Sequence, residues 1–245
     1  MSRKLVASLS TQAVALVTAL GLAGVGQAQA SKTPYPKMAP LAEYLMTDQA
    51  EIALARSAAP ASISGDATIV VLKQHGYEPA VKGKNGFVCI VERSWMSPFD
   101  WPEFWNPKMR GPVCYNPPAV RTILPYRILR TKLLLSGLSK AQMVENVQTA
   151  LDKSQLAPPE PGAMSYMMSK HAYLADRSGA WHSHVMFHIP KTDAATWGAD
   201  LPGSPVLVDT DHTEVPEPQT IFMVPVGKWS DGTSAASPIV PSAPK

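Results

Sequence analysis

The sequence predicts an α+β domain, built as a mainly antiparallel sheet with two or three helices packed on one face. Three observations predict it. Apolar, β-branched runs both precede and follow one helical stretch; that stretch carries caps and an apolar stripe at helical spacing; and 24 prolines, all beyond residue 33, divide the chain into short elements. With 45% hydrophobic residues the chain has enough apolar surface for a core, so the prolines mark stiff connections rather than disorder.

The elements follow in order. Arg3 and Lys4, the apolar run Ala13 to Val25 and Ala28-Gln29-Ala30 have the layout of a secretory signal peptide over residues 1–30. The run is shorter than the roughly 20 residues of a membrane-spanning helix, so no transmembrane segment is expected. Residues 31–40 read as an extended arm, 41–230 as one domain and 231–245 as a fraying tail. In TDQAEIALARSAAP, Asp48 and Glu51 form a capping box and Pro60 marks the exit of a helix. ATIVVL (67–72) and GFVCIVE (86–92) read as strands with the KGKNG turn between them. AVRTILPYRILRTKLLL reads as helix that Pro125 starts, kinks or splits. GLSKAQMVENVQTALDKSQ is a second helix, with Ser139 and Gln142 as capping box and Leu138 and Met143 as staple. Its apolar stripe runs through Met143, Val144, Val147, Ala150 and Leu151. GAMSYMMS (162–169) and WHSHVMFHI (181–189) read as antiparallel neighbours, and PQTIFMVPV (218–226) as a further strand.

The address constrains the chemistry. Loss of residues 1–30 removes two bases and no acids, so the net charge falls from +3 to +1 and nucleic acid is not an expected partner. The expected location is secreted or periplasmic, where Cys89 and Cys114, the two cysteines, are expected to pair. The bridge closes a loop of about 25 residues and stabilises by about 3.5 kcal/mol on the chain-entropy view.

Five pieces, SAAP (57–60), NGFVC (85–89), SYMM (165–168), HVMFHIP (184–190) and FMVPVGKWSDG (222–232), resemble a loose set of exported bacterial proteins of no known activity. The resemblance implies export and no particular reaction.

Alternation on AWHSHVMFHIP places His182, His184, Met186 and His188 on one strand face and Trp181, Ser183, Val185, Phe187 and Ile189 on the other. The second set is the more apolar, so it is expected to face the core and the histidines a cleft or solvent. Imidazoles two residues apart, about 6.5 to 7 Å along a strand, can converge on one ion. His182 and His184 are therefore candidate ligands of a divalent transition metal, zinc or iron. The third ligand would be His171, His188 or His212, the last within the cluster of Asp209, Asp211 and Glu214. His188 lies about 13 Å from His184, too far without a bend. The alternative is a histidine face that only hydrogen-bonds to its neighbours. His75 reads as a surface turn residue.

SWMSPFDWPEFWNPKMRGP sets Trp95, Trp101 and Trp105 beside Asp100 and Glu103. Flat rings next to carboxylates suit a sugar, with Trp101, Trp105, Asp100 and Glu103 as contacts; the alternative is an aromatic loop packed on the sheet. From Phe104 to Val144 there is no acid, while Lys108, Arg110, Arg121, Arg127, Arg130, Lys132 and Lys140 offer the basic stretch 108–140 to an anionic envelope surface or glycan. G-x-S-x-G, S-x-x-K, H-E-x-x-H and phosphate-binding glycine loops do not occur. These features together point to an exported envelope binding or structural protein. The alternatives are a small metal-dependent enzyme using His182 and His184, and a carbohydrate-binding module through residues 95–105.

Overall fold

A computed structural model describes residues 34–176, 182–208 and 217–235, which lie in one compact unit. Its frame is an eight-stranded sheet in the order β2-β1-β3-β4-β5-β6-β8-β7. The strands are β1 (Thr68–Lys73), β2 (Gly76–Val81), β3 (Val88–Glu92), β4 (Gly111–Tyr115), β5 (Met164–Met167), β6 (His184–Pro190), β7 (Leu207–Val208) and β8 (Gln219–Pro225). Every neighbouring pair is antiparallel except β1 with β3. The predicted α+β class, mainly antiparallel, is what the chain forms.

Two strands escape the alternation rule. β2 lies at the sheet edge, with Glu78, Pro79 and Ala80 exposed, so it carries no apolar stripe, and its proline is tolerated because an edge strand need not donate on both sides. It pairs with β1 through a turn at Gln74 and exposed His75, where Gly76 takes φ 130°. Because β2 occupies one side of β1, β3 returns on the other side, and this makes the single parallel pair. β4 opens on Gly111-Pro112 and is buried throughout, so alternation had nothing to mark.

Three helices share one face, α3 (Pro117–Thr122), α4 (Leu124–Leu135) and α5 (Lys140–Asp152), while the helix over Asp48–Arg56 packs on the other, so helices cover both faces rather than the one expected. Pro125 sits in the first turn of α4 and splits it from α3, one of the three outcomes its position allows. Ser139 and Gln142 form the predicted capping box of α5, and the staple residues Leu138 and Met143 join the same core cluster. That cluster includes Leu72, Ile90, Val113 and Tyr115 from one face of the sheet, Trp95, Phe99 and Phe104 from the segment between β3 and β4, and Leu134 and Val147 from the helices.

Alternate residues of the same strands, Ile69, Val71, Cys89, Val91 and Cys114, form a second cluster on the opposite face with Ala55, Ala58 and Ala59 of α1 (Asp48–Arg56) and its exit. A short helix α2 (Ala61–Ser64) follows. The cap of α1 differs from expectation. Thr47 accepts the hydrogen bond from Ala50 N–H, and Glu51 turns inward to accept from Leu72 N–H at 3.0 Å and to pair with Arg93 at 2.9 Å. A buried cation outcompetes the helix terminus for that carboxylate.

Cys89 and Cys114 form the predicted disulfide; they are opposite partners on β3 and β4 and are fully buried. Among the described residues, no helix is long and apolar enough to cross a membrane. The signal segment, residues 31–33 of the arm and residues 236–245 of the tail lie outside the described residues.

Candidate functional site

β6 sets the geometry. His184, Met186 and His188 are buried on the α3–α5 face, while Val185 and Ile189 are half-buried and Phe187 is 40% exposed on the other. The expected polarity of the strand is thus reversed: the histidine face is the covered one. α1 packs over β1, β3 and β4, and β6 lies beyond that cover, so its Val185-Phe187-Ile189 side meets less of the fold than its histidine side does. Trp181 lies outside the described residues.

A cleft of about 840 Å³ opens above this face. Its floor is Met167 of β5, His184 and Met186 of β6, and Ile221 and Met223 of β8. Pairing assembles it: Met167 lies opposite His184, and Met186 lies opposite Met223. The segment between β3 and β4 supplies a wall through Met96 and Met109, and residues 191–194 form part of the rim.

Glu92, Arg127 and Glu217 close one end, and their charges are consumed within the fold. Glu92 accepts from Tyr115 Oη and lies 3.5 Å from Arg127 Nε, while Arg127 also donates to Met96 O. Arg130, fully buried, pairs with Glu217 at 3.1 Å, donates to Ser97 O and stacks 3.9 Å over the Phe99 ring. Tyr126 Oη donates to Glu217 at 2.6 Å. Burial pushes the Tyr115 and Tyr126 phenols well above their ordinary range, so both stay protonated as donors. Two cations and two carboxylates thus offset one another's charge.

The predicted metal ligands part company. His184 Nδ1 lies 3.0 Å from His182 O; a carbonyl only accepts, so Nδ1 carries the hydrogen. His182 is half-buried, and its backbone rather than its ring is what meets His184. His188 lies under the sheet's cover, with Nε2 2.9 Å from Ser165 Oγ and its ring beside Tyr115. His171 is exposed in the turn after β5 and does not pair with β6. His212, Asp209, Asp211 and Glu214 lie outside the described residues. Among the described residues no three His, Cys, Asp or Glu side chains converge as metal ligands.

The aromatic segment forms packing more than a platform. Trp95 is fully buried, donates Nε1–H to Thr131 Oγ1 at 2.9 Å and meets the Tyr44 ring at a tilt of 58°. Trp105 meets the Phe104 ring edge-on at 4.6 Å. Glu103 is buried, accepting from Asn106 Nδ2 at 2.6 Å and from Asp176 N–H. Asp100 and Trp101 are half-buried. The basic stretch disperses likewise: Arg127 and Arg130 face inward, Arg121 forks onto Glu160, Lys108 meets Asp176, and Arg110 donates to the carbonyls of Pro107 and Met109. Lys140 lies 5.3 Å from the Phe104 ring, and Lys132 is exposed. It is not a continuous cationic face.

Burial, with the nearby Arg127 charge acting in the same direction, holds the His188 imidazole down to about 3. An unfolded His188 takes a proton below about pH 6.5 and the folded one does not. Stability therefore falls as pH falls from about 6.5 toward 3, by about 1.4 kcal/mol per pH unit for this group. His184, also lowered by burial, acts in the same direction. The carboxylate of Asp176, held down to about 2 by Tyr173, Tyr35 and Lys108, adds stability that is fully present above about pH 4 and is lost only as pH falls below that. Unfolding free energies from urea titration at pH 7 and 5 should differ by about 2 kcal/mol in the native chain, and His188→Gln should flatten most of that difference. An equal pH slope in both proteins removes His188 as the cause.

Sequence reasoning missed the methionines that line the cleft. Met186 already shared the histidine face by alternation, but Met167 and Met223 join it only through pairing. No family model, curated protein or solved structure matches the chain.

Proposed function

We propose that the protein is an exported envelope binding protein that takes up one small, largely apolar molecule in the cleft over β5, β6 and β8. The single observation that carries this reading is the cleft itself, about 840 Å³ and lined by Met96, Met109, Met167, Met186 and Met223. That volume is of the order of drug-sized ligand sites. Methionine side chains are unbranched and polarizable, so they mould to an apolar guest. The polar groups at the closed end are turned to one another, Glu92 toward Arg127 and Glu217 toward Arg130, which leaves the apolar floor as the surface a ligand meets. The lysine and aspartate of the rim, Lys191 and Asp193, suit a ligand whose apolar body enters and whose polar end stays at the mouth. The signal-like segment and the disulfide support export.

The test is titration with N-phenyl-1-naphthylamine, a neutral dye that fluoresces on leaving water. We expect saturable binding at one equivalent with a Kd in the range of about 1 to 10 μM. Met186→Arg, which sets a charge on the floor, should weaken it by more than about tenfold, since a buried unpaired cation is costly. Met223→Phe, which fills the cleft while keeping it apolar, should weaken it too, and Lys132→Ala should leave it unchanged. Absence of saturable binding, or equal affinity in all four proteins, overturns the reading.

A further inference from the structure

We propose that the molecule taken up in the cleft carries a neutral carbonyl, as a ketone, ester or amide does, which accepts a hydrogen bond from the side-chain amide of Gln219. This inference rests on the reading of the cleft as a ligand site and names the chemistry that selects the ligand.

Gln219 opens β8. Alternation along that strand sets its side chain on the same face as Ile221 and Met223 of the floor, and Gln219 itself lines the cleft. It lies opposite Pro190 at the end of β6, so it stands where the floor meets the rim at residues 191–194. The residue is 6% exposed, and neither Nε2 nor Oε1 of its amide has a hydrogen-bond partner. The amide favours the charged form of the His188 ring, which marks its oxygen as the end turned toward that imidazole. The amide nitrogen is left with two N–H donors and no acceptor.

A buried N–H without a partner is rare in folded proteins, and supplying its acceptor is worth roughly fivefold to a hundredfold in affinity. Other polar side chains of the cleft are already engaged. Glu92 and Arg127 face each other, Glu217 meets Arg130, and Thr220 Oγ1 accepts from Thr192 N–H. Ser97 Oγ donates to Met109 Sδ, and His184 Nδ1 donates to His182 O. Both arginines are held by carboxylates, so an ionised head at this depth would lose its hydration without a cation to replace it, whereas a carbonyl needs only the one donor. Gln219 also lines a smaller cavity of about 480 Å³ bounded by Tyr126, Leu151 and Leu156, so the place of the ligand needs its own control.

The experiment is equilibrium dialysis with two molecules of nearly one shape: 2-acetylnaphthalene, which has the carbonyl, and 2-ethylnaphthalene, which lacks it. The ketone-to-hydrocarbon affinity ratio in the native protein should exceed that in Gln219→Leu by at least about fivefold, with the loss falling on the ketone. Gln219→Leu should not lower the urea midpoint, because it removes an unmet polar group rather than a contact. Met223→Phe, in the cleft, should weaken both ligands, and Leu156→Trp, which fills the smaller cavity, should weaken neither. Equal ratios in the native protein and Gln219→Leu overturn the inference. So does a lowered urea midpoint in that variant, which would show the amide serving the fold, or ketone binding lost in Leu156→Trp instead of Met223→Phe. Hydrocarbon binding that Met223→Phe weakens keeps the apolar reading of the cleft standing in each case. Failure of both molecules and of N-phenyl-1-naphthylamine to bind the native protein removes that reading and the inference with it.

Discussion

Arg93→Met should destabilise the protein by about 3 to 5 kcal/mol, the cost of leaving a buried carboxylate without its cation. Arg93 and Glu51 are both fully buried. The guanidinium donates to Glu51 Oε2 at 2.9 Å, to Tyr44 O at 2.8 Å and to Val91 O, and Glu51 Oε1 accepts from Leu72 N–H at 3.0 Å. The pair thus fastens α1 and residue 44 to the start of the segment that follows β3. Methionine matches the length of the stem, so the loss reads charge and hydrogen bonding more than volume. Adding Glu51→Gln removes the orphaned charge while keeping an oxygen for Leu72, and should recover part of the loss. Urea unfolding of the two single variants and the double closes the cycle. A cost below about 1 kcal/mol for Arg93→Met, or strict additivity, shows that the pair does not act as a unit.

Glu51 also shows how far local reasoning reaches. A carboxylate three residues after Asp48 satisfies the capping rule, and nothing near it in sequence announces Arg93, 42 residues on. α5 was readable because everything that specifies it is local: Ser139, Gln142, the staple and a stripe whose Met143, Val147 and Ala150 are buried. β6 was readable as a strand, and alternation grouped its residues correctly. Which group faces the core depends on where α1 ends and where residues 96–109 lie, and these are set by distant contacts.

The same distinction governs the cleft. Met167, Met186 and Met223 come from three strands, and their register is a property of β5, β6 and β8 together. The basic stretch misled for a matching reason. Counting charges from Phe104 to Val144 sees seven bases and no acid, but Glu92, Glu160, Asp176 and Glu217 reach in from elsewhere in the chain. Trp95 and Phe104 were visible as aromatics; their burial depends on partners distant in the chain, Thr131 and Tyr44 for Trp95 and Arg130 for Phe104.

Cys89→Ala/Cys114→Ala should cost about 2 to 5 kcal/mol and loosen the cleft as well. The bridge joins opposite partners of β3 and β4, and the chain between those strands carries Trp95, Phe99 and Phe104 into the core and Met96 and Met109 into the wall of the cleft. Closing that 25-residue separation covalently removes unfolded conformations that the reduced chain regains. Both cysteines have no solvent exposure, so a reductant reaches the bond only when the strands open. In native buffer, dithiothreitol followed by alkylation should therefore label the intact protein slowly, and labelling should accelerate steeply as urea approaches the unfolding midpoint. The double-alanine variant should show a lower urea midpoint and weaker N-phenyl-1-naphthylamine binding, because the wall is tethered at its base by β3 and β4 alone. Rapid labelling in native buffer, or a variant within about 1 kcal/mol of the parent with unchanged dye affinity, means that the hydrogen bonds of Arg93, Arg127 and Arg130 hold the segment without the covalent link.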